Sequence, residues 1–239
     1  MLHDLFADDP LPPVRFEAIG PGSHFLHGFA LAAAASLWNE LAFVIAAAPF
    51  RHMQTPGGYR MSVAMSNCGD LGWVTDRAGY RYATTDPLSG LSWPLMPDSF
   101  RKLARSAAES AGFPGFAPDA CLINRYEPGR KMALHQDKDE CDLSAPIVSV
   151  SLGLPAVFQF GGLERKDRPE KILLEHGDVL VWGGPDRLRF HGILPLKAGE
   201  HPLCGNYRIN LTFRKASLSG AFVADQDLNG DMHDFFMNA

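Results

Sequence analysis

Apolar residues recur at helical intervals between positions 29 and 48. Leu31, Leu37, Trp38, Leu41, Val44, Ile45 and Ala48 fall on one side of a 3.6-residue period, and Pro49 ends the run. A second helix is predicted over 98–111, where Phe100, Leu103, Ala104, Ala107 and Ala111 make one stripe and Gly112 supplies a stop. The pattern then changes. The stretches 121–126, 147–152, 156–160, 171–174, 179–182, 189–194 and 207–214 are short, rich in β-branched and aromatic residues, and separated by Gly, Pro, Asp or His turns. Each is predicted as a strand. Many short strands joined by tight turns imply a sandwich or barrel, so the expected class is mainly β with flanking helices.

With 239 residues, 46% of them hydrophobic, the chain can bury a sizeable core. Residues 1–216 read as one domain and 217–239 as an acidic, loosely attached tail, because that segment holds Asp225, Asp227, Asp231 and Asp234 and no Lys or Arg. The apolar stretch 25–50 is interrupted by Asn39 and Glu40. That falls short of the ~20 apolar residues of a membrane span, so it reads as an alanine-rich helix of a soluble protein. Asp8 and Asp9 near the amino terminus, with no basic residue beside them, are wrong for a secretory signal. Cys68, Cys121, Cys141 and Cys204 are scattered without a C-x-x-C pair, which favours free thiols in a reducing compartment, the cytoplasm. A net charge of −5 argues against a protein that grips polyanions with its whole surface, yet all Lys and Arg lie before residue 217, and a local basic groove is permitted. A monomer is the working expectation.

The candidate chemistry begins at His135-Gln136-Asp137. Residues two apart on an extended segment point to the same face, so an imidazole and a carboxylate would project together. That is two thirds of a facial triad. A 2-His-1-carboxylate set on iron(II) leaves three adjacent positions open, enough for a bidentate cosubstrate and O2. His191, between Phe190 and Gly192 on a predicted strand, is the candidate third ligand. A second His-x-Asp, His176-Gly177-Asp178, lies between two apolar runs and reads as a hairpin turn. By itself an H-x-D in a charged loop is a weak signal.

The stretch 207–214 strengthens it. Arg208, Asn210, Thr212 and Arg214 alternate with Ile209, Leu211 and Phe213, giving one polar, basic face and one apolar face. Two guanidinium groups on one strand face match a dicarboxylate such as 2-oxoglutarate through charged bidentate hydrogen bonds.

At these residues the sequence resembles the bacterial AlkB proteins, alkylation-damage demethylases of the 2-oxoglutarate oxygenase superfamily. The similar segments are 55–59, 61–69, 71–73, 118–126, 134–140, 146–162, 175–184, 190–192 and 207–214, in the family's order. The resemblance implies a double-stranded β-helix (jelly-roll) core with amino-terminal helices outside it and a nucleotide-recognition lid over about 50–90. It implies iron ligation by His135, Asp137 and His191, and a 2-oxoglutarate pocket lined by Asn124, Tyr126, Arg208, Asn210 and Arg214. It also implies base recognition by Trp73, Tyr80, Asp139 and Arg165, with Met65 and Thr55 in the lid. Methylation at a ring nitrogen, as in 1-methyladenine or 3-methylcytosine, makes a base cationic, so an indole face beside a carboxylate favours the damaged form. Arg165, Lys166, Arg168 and Lys171 cluster where phosphates could be met. Two departures from the family stand out: the tail, and Cys141 after Glu140, where close relatives have proline.

The activity so implied is oxidative removal of N-alkyl groups from nucleic-acid bases, with single-stranded DNA as the expected substrate and RNA as an alternative. Its products are formaldehyde, succinate and CO2. The rival readings are a dioxygenase hydroxylating a small molecule or a protein, and a non-catalytic jelly-roll module such as a cupin. The cupin lacks support from any H-x-H motif.

Overall fold

The computed structural model describes residues 11–217. Its first half holds β1 (Arg15–Gly20), β2 (Ser23–His27), α1 (Ala34–Ala47), β3 (Ala64–Gly69), β4 (Gly72–Asp76), β5 (Gly79–Ala83) and α2 (Asp98–Ser110). There follow β6 (Ala120–Tyr126), β7 (Met132–His135), β8 (Ile147–Gly153), β9 (Ala156–Phe160), β10 (Glu170–Leu174), β11 (Val179–Trp182), β12 (His191–Ile193) and β13 (Arg208–Arg214). The expected tail lies almost wholly outside the described residues.

Two sheets face each other. The larger has the order β1-β2-β11-β8-β13-β6-β3 and the smaller β10-β9-β12-β7, while β4 and β5 form a separate hairpin. This is the jelly-roll core that the resemblance implied. One face of the larger sheet carries α1 and α2: Ile209, Leu211 and Phe213 of β13 join Leu37, Leu41 and Val44 of α1 and Phe100, Ala104 and Ala107 of α2 in one buried cluster. Burial of these side chains at roughly 1.5–3 kcal/mol each fixes which face of β13 turns away from the helices. The polar residues Arg208, Asn210, Thr212 and Arg214 therefore point into the space between the sheets. They are all buried, so this is not a solvated strand face.

Three expectations need correction. Phe25 and Leu26, assigned to a long apolar helix, belong to β2, next to the edge strand β1 of the larger sheet, paired with Leu180 and Val179 of β11. The strand over 189–194 shrinks to β12, because the backbone groups of Arg189 and Phe190 bond to Asp186, Gly161 and Gly162 outside the ladder. His176-Gly177-Asp178 is a turn but not a hairpin: β10 pairs only with β9, whereas β11 pairs with β2 and β8, so the turn passes the chain from one sheet to the other. Gly177, with φ 85, makes that turn possible. The Asp178 carboxylate holds it by accepting backbone N–H groups from Gly28 and Glu175, both at 2.8 Å.

Candidate metal centre and cosubstrate pocket

His135 ends β7 and His191 opens β12, and the two are direct cross-strand partners. Gly192 allows the close pairing, since a Cβ there would overlap backbone atoms of Met132 and Ala133. Asp137, two residues beyond His135, turns its carboxylate between the rings. Oδ1 lies 3.6 Å from His135 Nε2 and Oδ2 lies 3.7 Å from His191 Nε2.

Among the described residues, two groups of three could hold a metal ion: His135, Asp137 and His191, and His176, His201 and Cys204. Their hydrogen bonds separate them. Metal-ligating imidazoles characteristically donate their second N–H to an acceptor, leaving the other lone pair for the ion. His135 Nδ1 faces the carbonyl of Ala133 at 2.9 Å and His191 Nδ1 that of Arg189 at 3.0 Å, so both must donate from Nδ1 and both Nε2 lone pairs are free. In the second group the backbone N–H groups of Gly153 and Leu203 donate to Nδ1 of His176 and His201, at 3.0 and 3.2 Å. The neutral rings there carry their protons on Nε2, the wrong tautomer for ligation through that atom. Burial, then the neighbouring His135, depresses the His191 pKa to about 4, so its ring is neutral at pH 7 and carries no proton on Nε2. Burial alone would raise the Asp137 carboxyl, but Arg214 first, then His191 and His135, outweigh it and hold the group ionised below the usual carboxylate range.

One cavity of about 480 Å³ joins this cluster to the inner faces of β6, β8 and β13, within the roughly 300–1,000 Å³ usual for small-molecule sites. Arg208 and Tyr126 are cross-strand partners in it, as are Asn210 and Asn124. Arg214 donates from Nε and Nη2 to Asp137 Oδ2, at 3.0 and 2.7 Å, and Nε also lies 3.3 Å from Glu140 Oε1. Arg208 differs. It is 1% exposed, donates from Nη2 to Ser151 Oγ at 2.9 Å, and has no partner for Nε or Nη1. A buried cation facing a cavity with two idle donors is costly unless an anion completes it. The Asn124 Oδ1 atom is also buried without a partner. Asn210 is satisfied internally, donating to Ser149 Oγ and the Val150 carbonyl and accepting from Thr212, so it shapes the wall and has less left for a ligand.

At the mouth, Trp73 of β4 stacks on Tyr80 of β5 with ring centroids 5.7 Å apart and 20° between planes. The Trp73 indole N–H donates to Asp139 Oδ2 at 2.8 Å, and Asn67 clamps the Trp73 backbone with its own amide. Met65, Asp139 and Arg165 line the cavity with them; Thr55 does not, its hydroxyl instead accepting the backbone N–H of Tyr59 at 3.2 Å. Lys166, Arg168 and Lys171 lie off the cavity, with Lys166 paired to Glu164 at 2.8 Å. Sequence reasoning missed Glu140, Arg187, Ser149, Phe158 and Trp182. Ser149, Phe158 and Trp182 alternate inward on predicted strands, a signal that was available; Glu140 and Arg187 had none.

The donor set therefore fits a divalent cation and the idle guanidinium fits a carboxylate. The 2OG-Fe(II) oxygenase superfamily profile matches residues 22–214, and the alpha-ketoglutarate-dependent dioxygenase AlkB of Salmonella typhimurium is 61% identical over 214 residues, covering 90% of this chain and 98% of that one. The chain belongs to the AlkB dioxygenases of the 2OG-Fe(II) oxygenase superfamily. The Escherichia coli AlkB is 60% identical, over 89% of this chain and 97% of its own. The solved structure of OsALKBH1 superposes with a TM-score of 0.75 at 30% identity, covering 84% of this chain and all of that one. As an AlkB dioxygenase the protein uses iron(II), 2-oxoglutarate and O2, and the reading as a non-catalytic jelly-roll module falls. No helix among the described residues is long and apolar enough to cross a membrane.

Proposed function

We propose that the protein removes alkyl groups oxidatively from ring nitrogens of nucleic-acid bases, with 1-methyladenine and 3-methylcytosine in single-stranded DNA as the type substrates. The observation that carries this reading is one cavity linking the His135–Asp137–His191 cluster to a stacked Trp73–Tyr80 pair whose indole bonds a carboxylate. When bound, iron(II) with 2-oxoglutarate and O2 supplies oxidation of the N-methyl group, which leaves as formaldehyde while the cosubstrate becomes succinate and CO2.

The chain's own residues supply the rest. His135, Asp137 and His191 would hold the metal. Arg208, short of an anion, takes one cosubstrate carboxylate, and Asn124 and Tyr126 stand beside it. Arg214, already committed to Asp137 and Glu140, orients the carboxylate ligand more than it captures the cosubstrate. Trp73 offers an aromatic face worth about 0.5–2 kcal/mol to a cationic base, and Asp139 adds the charge complement. A normal base is neutral and gains neither. Arg165, which lines the cavity, would meet the nucleic-acid backbone. A base stacked in a duplex cannot reach the cluster, so it must be flipped out or come from a single strand. A monomer working in the cytoplasm completes the proposal.

The test is succinate formation under saturating iron(II) and 2-oxoglutarate, with a single-stranded oligonucleotide carrying one 3-methylcytosine and its unmodified twin. The methylated strand alone should raise succinate well above the basal rate. Equal rates with both strands would remove nucleobase repair and turn attention to the hydroxylation of a small molecule or protein.

A further inference from the structure

The segment 183–191 does more than deliver His191. Arg187 is 3% exposed, and its guanidinium grips the loop that follows β7 at three points. Nη1 donates to the backbone carbonyl of Asp137 at 2.7 Å, Nη2 to Glu140 Oε2 at 3.0 Å, and Nε to the carbonyl of Ala145 at 3.0 Å. Gln136, the residue between His135 and Asp137, donates to the carbonyl of Leu188, and the Arg189 carbonyl accepts from His191 Nδ1. Orienting groups for Asp137 and His191, and for Gln136 between His135 and Asp137, thus come from three consecutive residues, Arg187, Leu188 and Arg189.

That segment is itself anchored. Asp186 accepts the backbone N–H of Gly22 at 2.9 Å and the hydroxyl of Ser23 at 2.6 Å. A Cβ at Gly22 would overlap the carbonyl oxygen of Gly183, and one at Gly20 would overlap the Asp186 carboxylate, so the β1–β2 turn packs against 183–186 without spare room. Glu140 carries the hold further. Its Oε1 accepts the Tyr82 hydroxyl at 2.7 Å and lies 3.3 Å from Arg214 Nε, while its Oε2 is bound by Arg187.

We propose that Arg187 is a positioning residue of the metal centre: by fixing the backbone of Asp137 and the carboxylate of Glu140, it sets where the Asp137 carboxylate and Arg214 stand. The inference rests on His135, Asp137 and His191 being the metal ligands. A planar fork with five donors can satisfy three acceptors at once, which a lysine ammonium on its flexible stem cannot reproduce. Arg187 is not among the residues that line the cavity, so its effect is on metal affinity first.

The test is anaerobic Mn(II) titration of the full chain, read by electron paramagnetic resonance, for wild type, His135→Ala and Arg187→Lys. Wild type should bind one ion that His135→Ala loses, which secures the ligand assignment. Arg187→Lys should keep the fold, with circular dichroism unchanged, and bind Mn(II) roughly 10–100-fold more weakly, the range seen when orienting groups around a metal are removed. A folded Arg187→Lys with wild-type affinity would overturn the inference while leaving the ligands in place. A wild type that takes up no Mn(II) would overturn both. If Arg187→Lys does not fold, wild type still decides: the buried guanidinium N–H resonances of Arg187 should shift and exchange more slowly when Zn(II) fills the site. Resonances indifferent to Zn(II) would count against the inference.

Discussion

Arg208→Met should leave the stability of the protein without cosubstrate within about 3 kcal/mol of wild type while abolishing its response to 2-oxoglutarate. The side chain is 1% exposed, and Nε and Nη1 have no partner. Replacing a buried ion by an apolar side chain of similar volume is neutral or stabilising by about 1–4 kcal/mol. Loss of the charge-assisted bond to Ser151 Oγ takes back about 1.5–3 kcal/mol. The net change therefore lies between about 3 kcal/mol against the variant and about 2.5 kcal/mol in its favour, at roughly 2–4 °C of Tm per kcal/mol for a chain of this size. Binding moves one way only. Two charge-assisted bonds at about 1.5–3 kcal/mol each amount to roughly 3–6 kcal/mol. That is on the order of 10²–10⁴ in Kd for 2-oxoglutarate. The assay is anaerobic thermal unfolding of the Mn(II) protein with and without cosubstrate. Wild type at a hundredfold excess over Kd gains about 2.7 kcal/mol, and the variant should gain nothing measurable. A variant that melts well below wild type yet still shifts with 2-oxoglutarate would refute the view of Arg208 as a cation waiting for its anion.

Trp73→Ala should raise KM for a methylated oligonucleotide while leaving 2-oxoglutarate binding intact, both measurable by succinate release; equal loss of the two would make Trp73 merely structural. Asn67→Ala removes both amide bonds to the Trp73 backbone and should cost about 1–3 kcal/mol in denaturant unfolding, with a rise in the same KM. Asp119 closes the end of the jelly roll by accepting from Lys215 Nζ at 2.9 Å and from the backbone of Ala216 and Ser217. Burial opposes its charge, but Ser217, Ala216 and Lys215 together outweigh burial and lower its pKa. A depressed carboxyl stabilises fully above its unfolded pKa and stops contributing as pH falls through its folded value. Asp119→Asn should thus melt below wild type at pH 7, with the gap closing under acid below about pH 4; a gap independent of pH would contradict this.

Some of the site was legible because it obeyed local rules. The alternation of Arg208, Asn210, Thr212 and Arg214 with Ile209, Leu211 and Phe213 is a period of two, and the helices α1 and α2 bury the apolar half as that period requires. The spacing of His135 and Asp137 was only a weak signal, shared by His176 and Asp178, and it became readable beside the basic face of β13. Other elements broke the rules that reading depends on. In β2 the apolar Phe25 and Leu26 run almost directly into the apolar start of α1, so no change of period marks where strand ends and helix begins. β3, with the sequence AMSNCG, is buried at every position, because one face meets the helix side and the other the cavity, and nothing alternates. The strands of the β4–β5 hairpin are each as long as β9 and carry Trp73, Val74, Thr75, Tyr80 and Tyr82, so their signal was present in the sequence and went unread. Glu140 and Arg187 sit among charged and turn residues that look solvated, and both are buried only because distant segments meet over them. Thr55 was placed by resemblance, and its side chain is spent on its own turn.

The central claim is that His135, Asp137 and His191 hold the metal that acts on an N-methyl group brought to them by Trp73 and Asp139. Its most direct test is a single-turnover reaction of the anaerobically loaded protein, started with O2, on a single-stranded oligonucleotide carrying one 3-methylcytosine. Formaldehyde and unmodified cytosine would be quantified together in wild type and His135→Ala. Equal amounts of both from wild type, and neither from the variant, are the predicted result. Cosubstrate consumed without repaired base, or repair that survives loss of His135, would contradict it.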